Sequence, residues 1–177
     1  MSIINTIQEN KATGQVKDIY HEIKNTWGVI PAPITIMSSS PELLQNQWER
    51  YKYFHNQEAL SQKLLTIIRL LVSDEAKCEY CIGFNGAILI NMFEMKEDEI
   101  KLLIKDPSTS PLDNKEKALL MFVLKSIKSK SETNDSDISE LKNLGFNDKD
   151  ILDAVVAGVT MLAGNILFDT FKIDIDY

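Results

Sequence analysis

Residues 61–93, SQKLLTIIRLLVSDEAKCEYCIGFNGAILINMF, decide how this chain is read. Ser61 suits the cap of a helix from Gln62 to about Ser73, because its hydroxyl can accept from a backbone N–H of the first turn. The segment LLTIIRLLV is apolar on nearly every side, which places that helix at the centre of a core. Asp74 or Lys77 interrupts the pattern, which resumes as CEYCIGFNGAILINMF. No stretch of the chain alternates with period two for long enough to make a strand. The expected fold class is all-α, a helical bundle in one domain over 1–177. Its parts are N-terminal helices in 1–57, a core segment with the cysteine pair in 61–104, and C-terminal helices in 113–172.

Working outward, Val16, Ile19, Tyr20, Ile23 and Trp27 recur at helical spacing, with Thr13 as N-cap and Gly28 as the left-handed closing residue. Val29 to Pro33 is expected to be extended, because a proline disfavours helix at the residue before it. Ser40-Pro41-Glu42 starts a helix that presents Leu44, Trp48, Tyr51 and His55 on one side. On the C-terminal side, Glu97-Asp98-Glu99 opens a short acidic helix, and Pro107 and Pro111 bracket a loop. Asp113 caps a helix carrying Ala118, Leu119, Phe122 and Ile127. The polar stretch SKSETNDSD (129–137) reads as a mobile surface loop. A short helix over Ser139 to Leu144 is stopped by Gly145, and Asp148 caps the last long helix through Ala154, Val155, Val159, Leu162, Ile166 and Phe168.

The composition fits an ordinary globular protein: 44% hydrophobic, with 7 Gly and 5 Pro in 177 residues. A net charge of −7 disfavours nucleic acid. The short cluster Lys125, Lys128 and Lys130 reads as a solvated helix end. A helix-turn-helix over Leu141 to Val156 is disfavoured in turn, since Asp148, Asp150 and Asp153 would repel phosphates. No apolar run approaches the roughly 18 residues of a membrane span. The N-terminus MSIINTIQENKATG lacks the pattern of a signal peptide. A cytoplasmic protein with neither membrane nor nucleic-acid partner is therefore expected.

The chain has two cysteines, and they stand together as Cys78-Glu79-Tyr80-Cys81. Thiols three positions apart share one side of a helical turn, close enough for a small disulfide ring. Unpaired amides at a helix N-terminus favour the thiolate, the form that attacks peroxide or a disulfide. One sulfur then becomes a sulfenic acid or mixed disulfide and its neighbour resolves it. This chemistry needs both sulfurs exposed enough to exchange electrons at the head of a helix. Two buried, inert packing residues are the alternative. Structural zinc needs four ligands, and no second cysteine pair exists; His21 and His55 lack ligand spacing. No metal and no cofactor are expected.

The order of these features resembles the AhpD-like, carboxymuconolactone decarboxylase superfamily, over most of the chain. The proline-containing VIPAPITIMSSSPELL before a helix is similar to its peroxidase-related members. So are the apolar helix ending in Leu71-Val72-Ser73 ahead of CEYC, the acidic helix start after Met95, and a long C-terminal helix with Asn165. The resemblance implies an AhpD-like helical bundle that assembles into trimers or hexamers. It also implies thiol-dependent peroxidase or disulfide-reductase chemistry, with Cys81 as the peroxidatic thiol and Cys78 as its resolving partner. The substrate would be a hydroperoxide or a disulfide, and the electron donor a lipoyl or thioredoxin-like thiol.

Two positions depart from the family pattern. Its glutamate twelve residues before the first cysteine is Thr66 here, and its histidine four residues after the second is Asn85. In the family these groups relay protons, whereas threonine and asparagine do not titrate near neutral pH. Asn85, one turn beyond Cys81, can orient a water or substrate but cannot act as a base. If the helix runs on through Glu75, that carboxylate could approach the Cys78 sulfur and replace the relay. Tyr80 could line the site with its hydroxyl. The expected function is a weak hydroperoxide reductase in antioxidant defence; the alternative is a degenerate member acting as a redox-sensing or binding module.

Overall fold

The computed structural model describes residues 2–173. Among these residues there are nine α-helices and no strand. They are α1 (Gly14–Trp27), α2 (Ala32–Thr35), α3 (Pro41–Asn56), α4 (Gln62–Glu75), α5 (Glu79–Phe93), α6 (Glu97–Lys105), α7 (Asn114–Lys128), α8 (Asp135–Asn143) and α9 (Asp148–Phe171). The expectation of an all-α chain holds. Contacts group the chain into two compact units, one from 58 to 165 and one combining the segment up to 57 with that from 166 onward.

In the unit built from the N-terminal segment, α1 packs on α3 through Val16, Ile19, Tyr20, Ile23, Leu44 and Trp48, all buried. Trp27 stands edge-on to both Trp48 (ring centroids 5.1 Å apart) and Tyr51 (5.2 Å), the arrangement that sets a positive ring edge on a negative face. The Trp48 indole N–H donates to Glu22, and the Tyr20 hydroxyl donates to the Ile7 carbonyl at 2.9 Å. Gly28 closes α1 at φ 77°, where a β-carbon would be strained. Extended backbone, however, reaches only as far as Pro31. Ala32–Thr35 form a helical turn that includes Pro33, against the expectation for this segment. The missing N–H of a proline costs nothing in a first turn, and burial of Pro33 and Ile34 favours the turn.

The other unit is organised around α4, whose Leu64 to Ile68 and Leu70 to Ser73 are all buried. Each leucine or isoleucine so placed contributes about 1.5–3 kcal/mol relative to exposure. Ser61 caps this helix, accepting from the Leu64 N–H at 3.0 Å, as read from the sequence. α4 packs against α5, α6 and α7. Gly158 lets α9 approach closely: a β-carbon there would lie 2.9 Å from both Ile127 Cδ1 and Val123 Cγ1. Asp113 caps α7, accepting from the Glu116 N–H at 2.7 Å.

Three further points differ from the reading. Within SKSETNDSD, Lys130–Glu132 form a 3-10 turn and α8 already begins at Asp135. Asn134 and Asp137 exchange bonds as a capping box, which converts the end of that polar stretch into a helix start. The cap of α9 is Asn147 rather than Asp148, its side chain accepting from the Asp150 N–H at 3.0 Å while Asp150 accepts from the Asn147 N–H at 3.1 Å. Finally, α9 is long and apolar enough to cross a membrane by length and composition, with a mean hydropathy of 1.9 over 18 of its residues, against the expectation that no segment is. Its Asp150, Asp153 and Asn165 are nevertheless buried within the protein. A core helix has the same composition.

Candidate functional site

The chain between α4 and α5 folds so that the thiols start a helix. α4 stops at Glu75, and Lys77 adopts a left-handed conformation at φ 58°. The Cys78 N–H then donates to the Ser73 carbonyl at 3.0 Å, and Cys78 is extended at the cap position of α5. Cys81 is accordingly the third residue of that helix. Both thiols belong to the first turn, where backbone N–H groups lack helical partners and favour negative charge. The two sulfurs are not joined as a disulfide.

Their burial departs from expectation. Cys78 is 0% and Cys81 2% exposed, so neither is presented at the surface. A polar cluster nonetheless bridges α4 and α5. The Asn85 amide N–H donates to the Cys81 carbonyl at 2.8 Å, one turn along α5. The Asn85 side-chain oxygen accepts from Arg69 Nε at 3.2 Å, and Arg69 Nη2 donates to the Thr66 hydroxyl at 2.8 Å. That hydroxyl donates to the Gln62 carbonyl at 2.7 Å. Thr66 and Asn85, both buried, are thus joined through one guanidinium. Below them the Ser73 hydroxyl donates to the Arg69 carbonyl at 2.6 Å, with the Asn165 side-chain oxygen 3.4 Å away.

Glu75 does not join this cluster. α4 ends at it, and its carboxylate meets Lys128 Nζ on α7 at 2.5 Å, each side chain about half exposed (48% and 52%). The left-handed Lys77 is the reason, since it turns the chain before Cys78. Tyr80 is buried, its ring stacked on Phe84 with centroids 6.0 Å apart. His21 and His55 are exposed on α1 and α3. Among the described residues no group of three or more His, Cys, Asp or Glu could hold a metal ion.

Arg69 was missed by sequence reasoning. Its signal was a lone charge inside LLTIIRLLV, three residues after Thr66 and so on the same face of the helix. A cation at the centre of an apolar helix needs polar partners, and Thr66 on α4 and Asn85 on α5 are two of them.

This helical fold is found in solved structures. An uncharacterized peroxidase-related protein from Silicibacter sp. TM1040 superposes with a TM-score of 0.79 at 20% identity, over 98% of this chain and 88% of its own. The chain has the AhpD-like fold. A second structure of that fold, described as an alkylhydroperoxidase AhpD core and peroxidase-related protein from Ralstonia eutropha JMP134, gives 0.76 at 20% identity, over 98% and 94% of the two chains. A cysteine-to-alanine variant of the debrominase Bmp8 in complex with 2,3,4-tribromopyrrole also gives 0.76, at 15% identity and over 99% and 94%. No family model and no curated protein matches the sequence. At such identities the likeness concerns the AhpD-like fold, and the activities named are those of the neighbours.

Proposed function

We propose that this protein is a thiol–disulfide redox protein that reduces hydroperoxides slowly in antioxidant defence, with Cys81 attacking and Cys78 resolving. The observation that carries the reading is the position of both thiols in the first turn of α5, beside a polar buried cluster. The Cys81 thiolate attacks one peroxide oxygen; an S–O bond forms, the O–O bond breaks, and the departing alkoxide takes a proton from water. The Cys78 thiolate then attacks the Cys81 sulfenic sulfur. An S–S bond forms, the S–O bond breaks, and hydroxide leaves to become water. A dithiol donor, lipoyl or thioredoxin-like, returns two electrons and two protons. A reducing cytoplasm is the compartment in which such a resting dithiol persists.

Turnover is slow for two reasons. Thr66 and Asn85 cannot carry protons, and loss of general acid–base help costs on the order of 10²- to 10⁴-fold. Burial of both sulfurs also makes entry depend on local opening of the first turn of α5. These same features favour a second reading, a redox-sensing or binding module that forms the disulfide once and does not cycle. Peroxide treatment followed by mass measurement separates them. The first reading expects loss of two hydrogens by the native chain, a trapped sulfenic acid on Cys81 in Cys78→Ser, and continued consumption with a dithiol donor. Disulfide formation without turnover for any donor selects the module. If the sulfurs neither join nor acquire oxygen, both readings fail.

Assembly is part of the proposal. Leu152, Val156, Val159 and Ala163 recur every three or four residues along α9 and are exposed. A second copy of this chain covers that stripe in a homo-oligomer, a trimer or hexamer by the family resemblance.

A further inference from the structure

We infer that the groove between residues 2–8 and α2 is a docking site for an uncharged peptide segment, which pairs with the free backbone edge of Ile4 and Thr6. The inference is independent of the thiol reading. The groove lies wholly within the unit that combines the segment up to 57 with that from 166 onward.

The groove has a volume of about 410 Å³, within the range of sites that take small ligands. Ile4, Asn5 and Thr6 line one side, Thr35 and Ile36 line the other, and Ile30 and Ile173 add apolar surface. Residues 2–8 form neither helix nor strand, yet they are tied down. Every backbone bond within 3–7 falls on an odd-numbered residue. The Ile3 N–H donates to the Phe171 carbonyl at 3.0 Å, and the Ile7 N–H to the Ser38 hydroxyl at 2.7 Å. The Asn5 carbonyl accepts from the Ser39 hydroxyl at 2.5 Å, and the Ile7 carbonyl from the Tyr20 hydroxyl at 2.9 Å. Ser38 is fully buried and donates in turn to the Thr35 carbonyl, so this wall is fastened to the opposite one.

In an open chain, successive residues turn their N–H and C=O groups to opposite edges. The even-numbered residues are accordingly left over. Among the described residues no hydrogen bond uses the backbone of Ile4 or Thr6, and Thr6 is bonded through its hydroxyl alone, which accepts from Gln8 at 3.3 Å. Donor and acceptor repeating at alternate residues is the pattern an extended peptide satisfies by adding alongside, and a compact small molecule does not repeat it. Among the described lining residues none is charged, and the next charge along the segment, Glu9, is paired with Lys24 at 2.6 Å. A charged side chain entering the groove would lose its hydration without a counter-charge. Aliphatic side chains match the isoleucines, and hydroxyl or amide side chains match Asn5 and Thr35.

The test is amide hydrogen exchange of the full chain, read residue by residue by NMR, with the blocked peptide acetyl-Val-Thr-Ile-Asn-amide. Without peptide, the Ile4 and Thr6 amides should exchange at least about tenfold faster than those of Ile3 and Ile7. Peptide at about 1 mM should slow Ile4 and Thr6 about tenfold, which corresponds to a Kd of about 0.1 mM. Acetyl-Val-Lys-Ile-Asp-amide should leave them unchanged. Thr6→Pro removes the free donor and none of the anchoring bonds, so it should weaken binding, read at Ile4, about tenfold or more. Thr6→Ser keeps the backbone edge and should bind as the native chain does. Absence of protection by the uncharged peptide overturns the inference, as does equal protection by the charged peptide or by N-methylacetamide. Undiminished binding to a Thr6→Pro chain whose Ile3 and Ile7 amides stay slow overturns it too. So do slow Ile4 and Thr6 amides before any peptide is added: slowing that grows with protein concentration makes a second copy the occupant, and slowing lost on removal of residues 174–177 makes it the chain itself.

Discussion

Placing a carboxylate and an imidazole at positions 66 and 85, by Thr66→Glu with Asn85→His, should fail to restore fast peroxidase turnover unless Arg69 is also replaced. Thr66 is 1% exposed, and its hydroxyl lies 2.8 Å from Arg69 Nη2. Glutamate at that position brings its carboxylate against the guanidinium. An arginine in contact lowers a carboxyl by about 1–3 units, which takes a group of ordinary pKa ~4.3 to roughly 2. A base that weak at neutral pH forgoes most of the 10²- to 10⁴-fold that general acid–base catalysis supplies. The larger side chain also overpacks a closed site, at about 1–3 kcal/mol. The double variant should therefore gain less than about tenfold in kcat/KM.

Adding Arg69→Met removes the ion pair and leaves a buried carboxylate whose pKa burial raises toward the working range. The relay then contributes its 10² to 10⁴, a gain of about that order over the native chain. Stopped-flow peroxide consumption with a dithiol donor, measured on all three proteins, gives the comparison. A gain of a hundredfold or more in the double variant alone would refute the reasoning, because Arg69 would then not govern the charge of the site. An inactive triple variant with a native circular-dichroism spectrum would refute it equally.

Gly158→Ala should destabilise the fold by about 1–2 kcal/mol, the overpacking against Ile127 and Val123 exceeding the helix-propensity gain of about 1 kcal/mol; urea unfolding that shows a more stable variant would contradict the close approach. Asp137 has its pKa held below the ordinary 3.8 by its hydrogen bond to Lys125 and by the Asn134 N–H. Its contribution is therefore complete above that value and fades as pH falls through the lower folded value, so the stability gap between the native chain and Asp137→Asn should narrow from pH 7 to pH 3. Val159→Lys on the exposed face of α9 should lower the mass seen by light scattering, whereas a native chain that scatters as a monomer at micromolar concentration would end the homo-oligomer proposal.

What could be read of the fold from the residues was what a few consecutive residues decide by themselves. Ser61, Asp113 and Gly28 act within one turn of their own helix, and each does what its chemistry predicts. Thr13 and Ser40 stand at the cap positions expected of them, though neither side chain makes the capping bond. Asn134 and Asn147 were hidden by context instead. Both lie in polar stretches that look like loop until an acid three residues later is noticed, Asp137 in one case and Asp150 in the other. Pro33 was not legible locally, because the turn it enters depends on the burial of Ile34 and Ile36.

The site divides along the same line. The cysteine spacing and its place at a helix start are local, and Thr66 and Asn85 are recognisable as departures from the family pattern by counting along the chain. The company these residues keep depends on distant partners: Arg69 reaches Asn85 across the α4–α5 contact, and Glu75 turns to Lys128 on α7. Once Arg69 is in place, the two departures cease to be independent losses. A glutamate at position 66 would neutralise the guanidinium, and a histidine at position 85 would be repelled by it whenever protonated. Neutral groups at both positions instead accept from the guanidinium and hold it by one edge of its fork. Thr66, Arg69 and Asn85 are thus mutually consistent as one hydrogen-bonded arrangement, with no group that titrates near neutral pH. Such a cluster offers no proton to a departing alkoxide, which is why, on the thiol–disulfide reading proposed above, the pair should oxidise more readily than it cycles.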